Sequence, residues 1–373
     1  MNYRIKLVDL IRPHRKLKKR FLASIGKIIN ASDFIMGAEV EKFEKSFAKF
    51  CGKKYAISLN SGTDALRLAL LAYNIGPGDE VITAPNSYFS TAMIITECGA
   101  KQIFVDINPD TYTIDTAKIK RAITSRTKAI IPVHIYGQPA DMTPILQIAK
   151  KYNLKIIEDA CQAHGAIYKG KAVPYGETGA FSFYPGKNLG CFGDGGILVT
   201  DNPTVANNVL LLRNDGSSKR YIHEKLGIKS RLDTIQAAVL NIKLPYLKQG
   251  NKKRRIHAMA YTKLLKDIPG ITTPKEANDV IHAYHLYVIE AEKRNELQSY
   301  LSKHGIETGI HYPIPIHLQE AYKNEKYKRG DFPVAEGKAR KILSLPMFPE
   351  LTKKEIRYVC EMISNFMLQK RKT

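Results

Sequence analysis

Between residues 55 and 200 the chain alternates seven short apolar runs, YAISL, EVITA, QIFVD, KAIIPVHI, LKIIED, AFSFY and GILVT, with longer stretches of helical periodicity. TDALRLALLAYN, STAMIITECG and the segment from Met142 to Tyr152 carry that second pattern. Runs that are apolar on both faces suit strands buried inside a parallel sheet. Their alternation with helices predicts an α/β layer: a large domain with a mostly parallel seven-stranded sheet flanked by helices. Past residue 230 the pattern changes to longer helices, predicted from about Asp233 to Leu247 and from Arg255 to Leu265, with the polar stretch LKQGNKKRR between them as a boundary. A strand (YHLYVIEA), a helix (RNELQSYLSKHG), a second strand (IETGIHY) and a last helix follow. That last helix opens on Thr352 and Glu355 in capping-box spacing and sets Ile356, Val359, Cys360, Ile363 and Met367 on one face. The expected organisation is an N-terminal arm and helix (1–30) packed on the small domain, a large domain (31–248) and a smaller C-terminal α+β domain (249–373).

Composition narrows the class without changing this outline. With 373 residues, 44% hydrophobic and 25% charged, the chain can bury a substantial active site and has the balance of a soluble globular protein. The apolar stretch in MNYRIKLVDLIRPHRKLKKR is broken by charge too soon for a signal peptide. No run reaches the ~18 apolar residues of a membrane-spanning helix. Five cysteines, Cys51, Cys98, Cys161, Cys191 and Cys360, lie far apart without CxxC spacing, which argues against a disulfide framework and a zinc site. A reducing, cytoplasmic setting is expected, with no metal. The 58 Lys and Arg outnumber the 35 Asp and Glu, giving +23, but the surplus is spread along the chain. It reads as a solvated surface, and no helix-turn-helix pattern marks a nucleic-acid reader.

Three segments offer chemistry. Asn60-Ser61-Gly62-Thr63-Asp64 falls between a predicted strand and a helix, where first-turn amides and the helix dipole can hold an anion. Ser61 with Asp64 equally fits an ordinary capping box. LKIIED brings Asp159 to the carboxyl end of a buried strand, with Gln162 three residues on, and ligands bind at that edge of open α/β sheets. A helix cap explains an isolated Asp159 as well, and His164 beyond it suits a core position better than a site. In AFSFYPGKNLGCFGDGG, Ser182 and Lys187 sit in a glycine-rich loop; Lys187 is either a solvated cation or an amine nucleophile, and spacing does not choose between them.

Taken together with GPGDEVITAPNSYFSTA, FVDINPDTYTID, KAIIPVHIYGQPADM, SRLDTIQAAVL and HYPIPIH, these segments resemble the sugar aminotransferases of the DegT/DnrJ/EryC1/StrS family, fold-type I pyridoxal-phosphate enzymes, from about residue 30 to 350. The resemblance implies pyridoxal 5'-phosphate as cofactor, carried by Lys187 as a Schiff base, with Lys187 also moving the proton. It implies that Asp159 pairs with the pyridinium nitrogen and that Gln162 lies beside the ring hydroxyl. Tyr88 would stack on the ring, and Gly62, Thr63 and Ser182 would contact the phosphate. His311 and Tyr312 fall on the substrate side of the cleft, or else simply end a strand.

The family's homodimers share active sites, and a loop of the neighbouring subunit supplies an asparagine to the phosphate. Here that position holds Lys229, either a replacement cation at the phosphate or a surface lysine. The implied reaction moves an amino group from an amino acid, L-glutamate, to a nucleotide-linked keto-deoxysugar, at C3 in preference to C4, for surface polysaccharide or glycoconjugate synthesis. The expected partners are those two substrates and a second copy of the chain, without nucleic acid or membrane. A sugar dehydratase on the same scaffold is disfavoured because those relatives replace the lysine with histidine. The third alternative is a DNA-binding or sensory regulator.

Overall fold

The computed structural model describes residues 3–369. Its centre is a seven-stranded sheet formed by β1 (Tyr55–Leu59), β2 (Glu80–Thr83), β3 (Lys101–Phe104), β4 (Thr127–Ile130), β5 (Lys155–Asp159), β6 (Thr178–Ser182) and β7 (Gly196–Thr200). The spatial order is β1-β7-β6-β5-β4-β2-β3. The pairings from β3 through β6 are parallel, whereas β7 runs antiparallel to both β6 and β1. The apolar runs thus become the interior strands of an α/β layer, as their pattern predicts. On one face the helix Gly62–Ala72 contributes Leu66 and Leu70 to a core with Ile57, Val81, Ile131 and Leu198. On the other, Phe43 and Phe47 of a helix at Ala38–Cys51 pack on Phe181, Phe183 and Val199.

The C-terminal part is built on a three-stranded antiparallel sheet of Ile271–Thr272, Tyr287–Ala291 and Ile342–Leu345, with the second strand in the middle. Leu297, Leu301, Ile356, Val359 and Ile363 of the helices at Arg294–Lys303 and Lys353–Gln369 close its core with Tyr261 and Leu265. The capping box at the last helix forms as expected: the Glu355 amide donates to Thr352 Oγ1 at 3.2 Å, and the Thr352 amide donates to Glu355 Oε2 at 2.8 Å.

Two sequence expectations change here. LKQGNKKRR does not separate two helices but begins one long helix, Leu247–Leu265. Leu247, Asn251, Arg254, Ala258, Tyr261 and Leu265 recur every three or four residues on its buried side, so polar Asn251 and Arg254 occupy positions where apolar residues would have revealed the period. IETGIHY forms no ladder: Ile306 makes one parallel bridge to Ile5 and Gly309 one antiparallel bridge to Ser344, so each end takes a different partner. The N-terminal segment contacts both regions. Leu7 receives the Met347 amide at 3.0 Å, while Phe21 of the helix Ile11–Ala31 packs on Val239 and Ile242. No helix among the described residues is long and apolar enough to cross a membrane.

Candidate active site

Asp159 ends β5 and is only 5% exposed. Its Oδ2 accepts from Thr91 Oγ1 at 2.9 Å and its Oδ1 from the Cys161 amide at 3.1 Å. The Ser87 and Thr91 hydroxyls lie 2.8 Å apart, completing a buried chain behind the carboxylate. A charged group this deep is stable only with such partners, and the arrangement fixes its direction. Gln162 is held at both ends, accepting from the Tyr136 amide at 2.7 Å and donating to the Tyr312 hydroxyl at 3.3 Å.

The Asn60–Asp64 segment does the local work of a helix start: the Asp64 amide donates to Ser61 Oγ at 3.1 Å, and Asp64 turns away to Arg67, 3.1 Å distant. Both readings of the sequence therefore coexist, because capping by Ser61 leaves Gly62 and Thr63 lining the cavity with first-turn amides that have no intrahelical acceptor. Gly62 tolerates no side chain. A Cβ there would stand 2.7 Å from Cys161 Sγ and 2.8 Å from Ser182 Cβ.

Lys187 follows Ser182 on the turn after β6, its amide donating to the Tyr184 carbonyl at 2.9 Å. Its ammonium forms no hydrogen bond or ion pair among the described residues. Burial lowers its pKa below the ordinary lysine value, against the opposing pull of Cys161 and Asp159. Half-buried in the cavity wall and with its pKa lowered, Lys187 is partly withdrawn from solvent, which favours the amine reading over a fully solvated cation.

A cavity of about 540 Å³ brings together Gly62, Thr63, Tyr88, Asp159, Gln162, Ser182, Lys187, His311 and Tyr312. Tyr88 stands at the mouth, more than half exposed, its ring centre 5.9 Å from that of Tyr312. His311 Nδ1 lies 2.8 Å from Ser344 Oγ, and burial together with Lys187 brings its pKa down to about 4. His164 is a core histidine, its ring 5.2 Å from Phe181 and 5.8 Å from Phe183.

Lys229 stands apart in the single chain, exposed and 4.0 Å from Asp215. Its segment carries a small hairpin, Ser217–Lys219 with Ile222–His223, on which Tyr221 and Leu226 are almost fully exposed. Sequence reasoning missed Thr91, in the first turn of the helix Ser90–Glu97, and Leu7, Val8 and His285, which reach the cavity through tertiary contacts alone.

His285 is fixed through its backbone. Arg254, fully buried and with its pKa lowered to about 10 by burial, donates to the carbonyls of Tyr284 at 3.2 Å, His285 at 3.4 Å and Met347 at 2.8 Å.

The lining fits pyridoxal phosphate. A helix start without room for a Cβ can receive a phosphate, and a buried carboxylate and an amine whose pKa is lowered by burial line the same space.

The sequence profile of the DegT/DnrJ/EryC1/StrS aminotransferase family matches residues 15–364. A "Pleiotropic regulatory protein" of Geobacillus stearothermophilus is 45% identical over 97% of this chain and 98% of its own. The dTDP-3-amino-3,4,6-trideoxy-alpha-D-glucose transaminase of Streptomyces venezuelae is 43% identical over 96% of this chain and 95% of its own. The crystal structure of S. venezuelae DesV superposes with a TM-score of 0.96 at 42% identity, covering 98% of this chain and 99% of that one.

Proposed function

The chain belongs to the DegT/DnrJ/EryC1/StrS aminotransferase family, whose chemistry depends on pyridoxal phosphate, and from that premise we propose that it aminates a nucleotide-linked keto-deoxysugar with L-glutamate as donor. C3 is the proposed position, supported by the 3-amino product named for the Streptomyces relative. The product would serve surface polysaccharide or glycoconjugate synthesis. The observation that carries the reading is the shared cavity lined by a half-buried lysine with a lowered pKa, a buried carboxylate and a helix start.

When bound, the cofactor supplies an electron sink for the carbon that exchanges its nitrogen. Asp159, aimed by Thr91 and the Cys161 amide, would hold a proton on the ring nitrogen. Gly62 and Thr63 would offer amides and Ser182 a hydroxyl to the phosphate, while Gln162 would lie by the ring hydroxyl and Tyr88 would cover one face. Lys187 would hold the cofactor and, as a free amine, would move the proton from the donor carbon to the cofactor carbon. Its depressed pKa suits that base role, because a smaller share of the amine is protonated near neutrality. His311 and Tyr312 face the substrate.

The open mouth at Tyr88 and the exposed hairpin before Lys229 support a homodimer in which the partner subunit's Lys229 reaches the phosphate. Lys187 disfavours a dehydratase, as in the sequence. Product mass spectrometry with glutamate and a panel of 3-keto and 4-keto nucleotide sugars tests the assignment. The expected result is nitrogen incorporation into 3-keto substrates. Incorporation into none would refute the sugar reading, and salt-dependent duplex binding without cofactor absorbance would favour the regulator.

A further inference from the structure

Gly186 and Lys187 line two cavities at once, the catalytic one and a neighbour of about 510 Å³ that Phe348–Glu350 help to wall. The turn that carries the reacting amine is therefore a partition with open space on both sides, and a Cβ added at Gly186 would meet only Tyr184 of the same turn, at 3.8 Å. Packing alone cannot fix such a turn.

What ties it down is the residue after the lysine. Asn188 Nδ2 donates to the Ala283 carbonyl and to Asn251 Oδ1, each at 3.0 Å. Asn251, 8% exposed on the long helix Leu247–Leu265, spends the other end of its amide elsewhere: its Nδ2 donates to the His164 carbonyl at 2.7 Å. Both orientations are forced, because Ala283 and His164 present carbonyls, which accept and cannot donate.

The His164 carbonyl belongs to the segment that carries Asp159 and Gln162. Two turns coil that segment, the Ala163 amide donating to the Ala160 carbonyl and the Ala166 amide to the Ala163 carbonyl, each at 2.9 Å. It is seated directly on the asparagine, since a Cβ at Gly165 would stand 2.9 Å from Asn251 Nδ2. One side chain thus holds the turn of the amine with its oxygen and the segment of the buried carboxylate with its nitrogen.

Resting on the reading of Lys187 as the cofactor-bearing amine and Asp159 as the partner of the ring nitrogen, we propose that Asn251 is a positioning residue for transamination, which through Asn188 sets the place of Lys187 relative to Asp159. Asn251 lines no part of the catalytic cavity and acts only through these two. An amine that holds one end of a flat ring and then moves a proton beside it gains rate from a fixed distance to the group at the other end, and a misplacement of about 1 Å costs up to about a hundredfold.

The two arms of this bridge separate in the test. Hydrogen exchange of the holoenzyme, read by mass spectrometry, is followed in residues 160–166 and 184–190, with the last helix as the unchanged reference. Asn188→Ala is expected to speed exchange in 184–190 only. Asn251→Asp should speed it in 160–166 only, since the carboxylate keeps an acceptor for Asn188 but sets an oxygen against the His164 carbonyl, and Asn251→Ala should speed it in both.

Rapid mixing with glutamate supplies the second readout. Asn251→Ala should lower the half-reaction rate at saturating glutamate roughly ten- to hundredfold, leave the half-saturating concentration within about twofold and keep the absorbance of bound cofactor. The loss in the Asn188→Ala/Asn251→Ala double variant should fall well short of the product of the single losses, because both substitutions cut one bridge. Asn188→Ala, at a half-buried position, carries the test if Asn251→Ala fails to fold. Wild-type exchange in both segments, losses that multiply, or wild-type rates in all three variants overturn the bridge, and with Lys187→Ala inactive the reading beneath it stands. A Lys187→Ala variant that retains turnover overturns both.

Discussion

The floor of the catalytic cavity and the hairpin that precedes Lys229 are built on opposite terms. At the floor, Asp159 and Gln162 each have two hydrogen-bond partners, and Gly62 is pressed against Cys161 and Ser182 so closely that no side chain fits. On the hairpin and the loop after it, Tyr221 is 81% and Leu226 98% exposed, and the nearest carboxylate paired with Lys229 among the described residues is Asp215 at 4.0 Å. One region is determined by its own chain. The other displays apolar surface of the kind that a second molecule covers, and its role is undefined until one does.

The sharpest way to break this contrast is at the floor. Lys187→Ala is expected to abolish the visible absorbance of bound cofactor and lower transamination at least about a thousandfold, with melting unchanged. Steady-state assay and a thermal melt check it, and retained activity would remove the centre of the assignment. Asp159→Asn keeps the shape but not the charge, and should cost on the order of a hundredfold in turnover. Rapid-mixing measurement of the glutamate half-reaction would show that loss, whereas an equal rate would mean that the carboxylate only caps its strand.

Acid should weaken the buried region next. His164 and His311 have folded pKa values near 3 and 4, below the ordinary 6.5, because burial disfavours their charged forms. Above pH 6.5 both states are neutral there and no stability is lost. Below it the unfolded chain takes up protons that the folded chain refuses, so stability falls as pH drops toward 4, by at most about 1.4 kcal/mol per histidine per unit. Urea midpoints at pH 7.5 and 5 measure it, and no difference would contradict the burial.

The smallest effect belongs to the hairpin. Lys229→Ala should raise the cofactor dissociation constant a few-fold and Lys229→Asn less, since the amide restores donors to the phosphate. Equilibrium dialysis reads both, and an unchanged constant in each returns Lys229 to the surface.

Legibility in the sequence follows the same division. The seven strands stood out because apolar runs on a buried parallel sheet leave no polar positions to blur them, and β5 was readable to its last residue, Asp159. Lys187 and the helix start at Gly62 were visible as motifs, although only their burial in one cavity separates an amine base from a surface cation. Leu7, Val8 and His285 could not be found that way, because backbone contacts to distant segments, such as Met347 on Leu7, bring them there. The Leu247–Leu265 helix hid for another reason. Two of its inward positions are Asn251 and Arg254, polar residues whose partners are backbone carbonyls and asparagines that no periodicity reveals.

Arg254 also has a mechanical meaning. A single guanidinium grips the backbone of His285, on the wall of the catalytic cavity, and of Met347, which leads into the Phe348–Glu350 wall of its neighbour. The two walls cannot drift apart independently while that grip holds. The molecule therefore has a fixed gauge between them, set by one side chain.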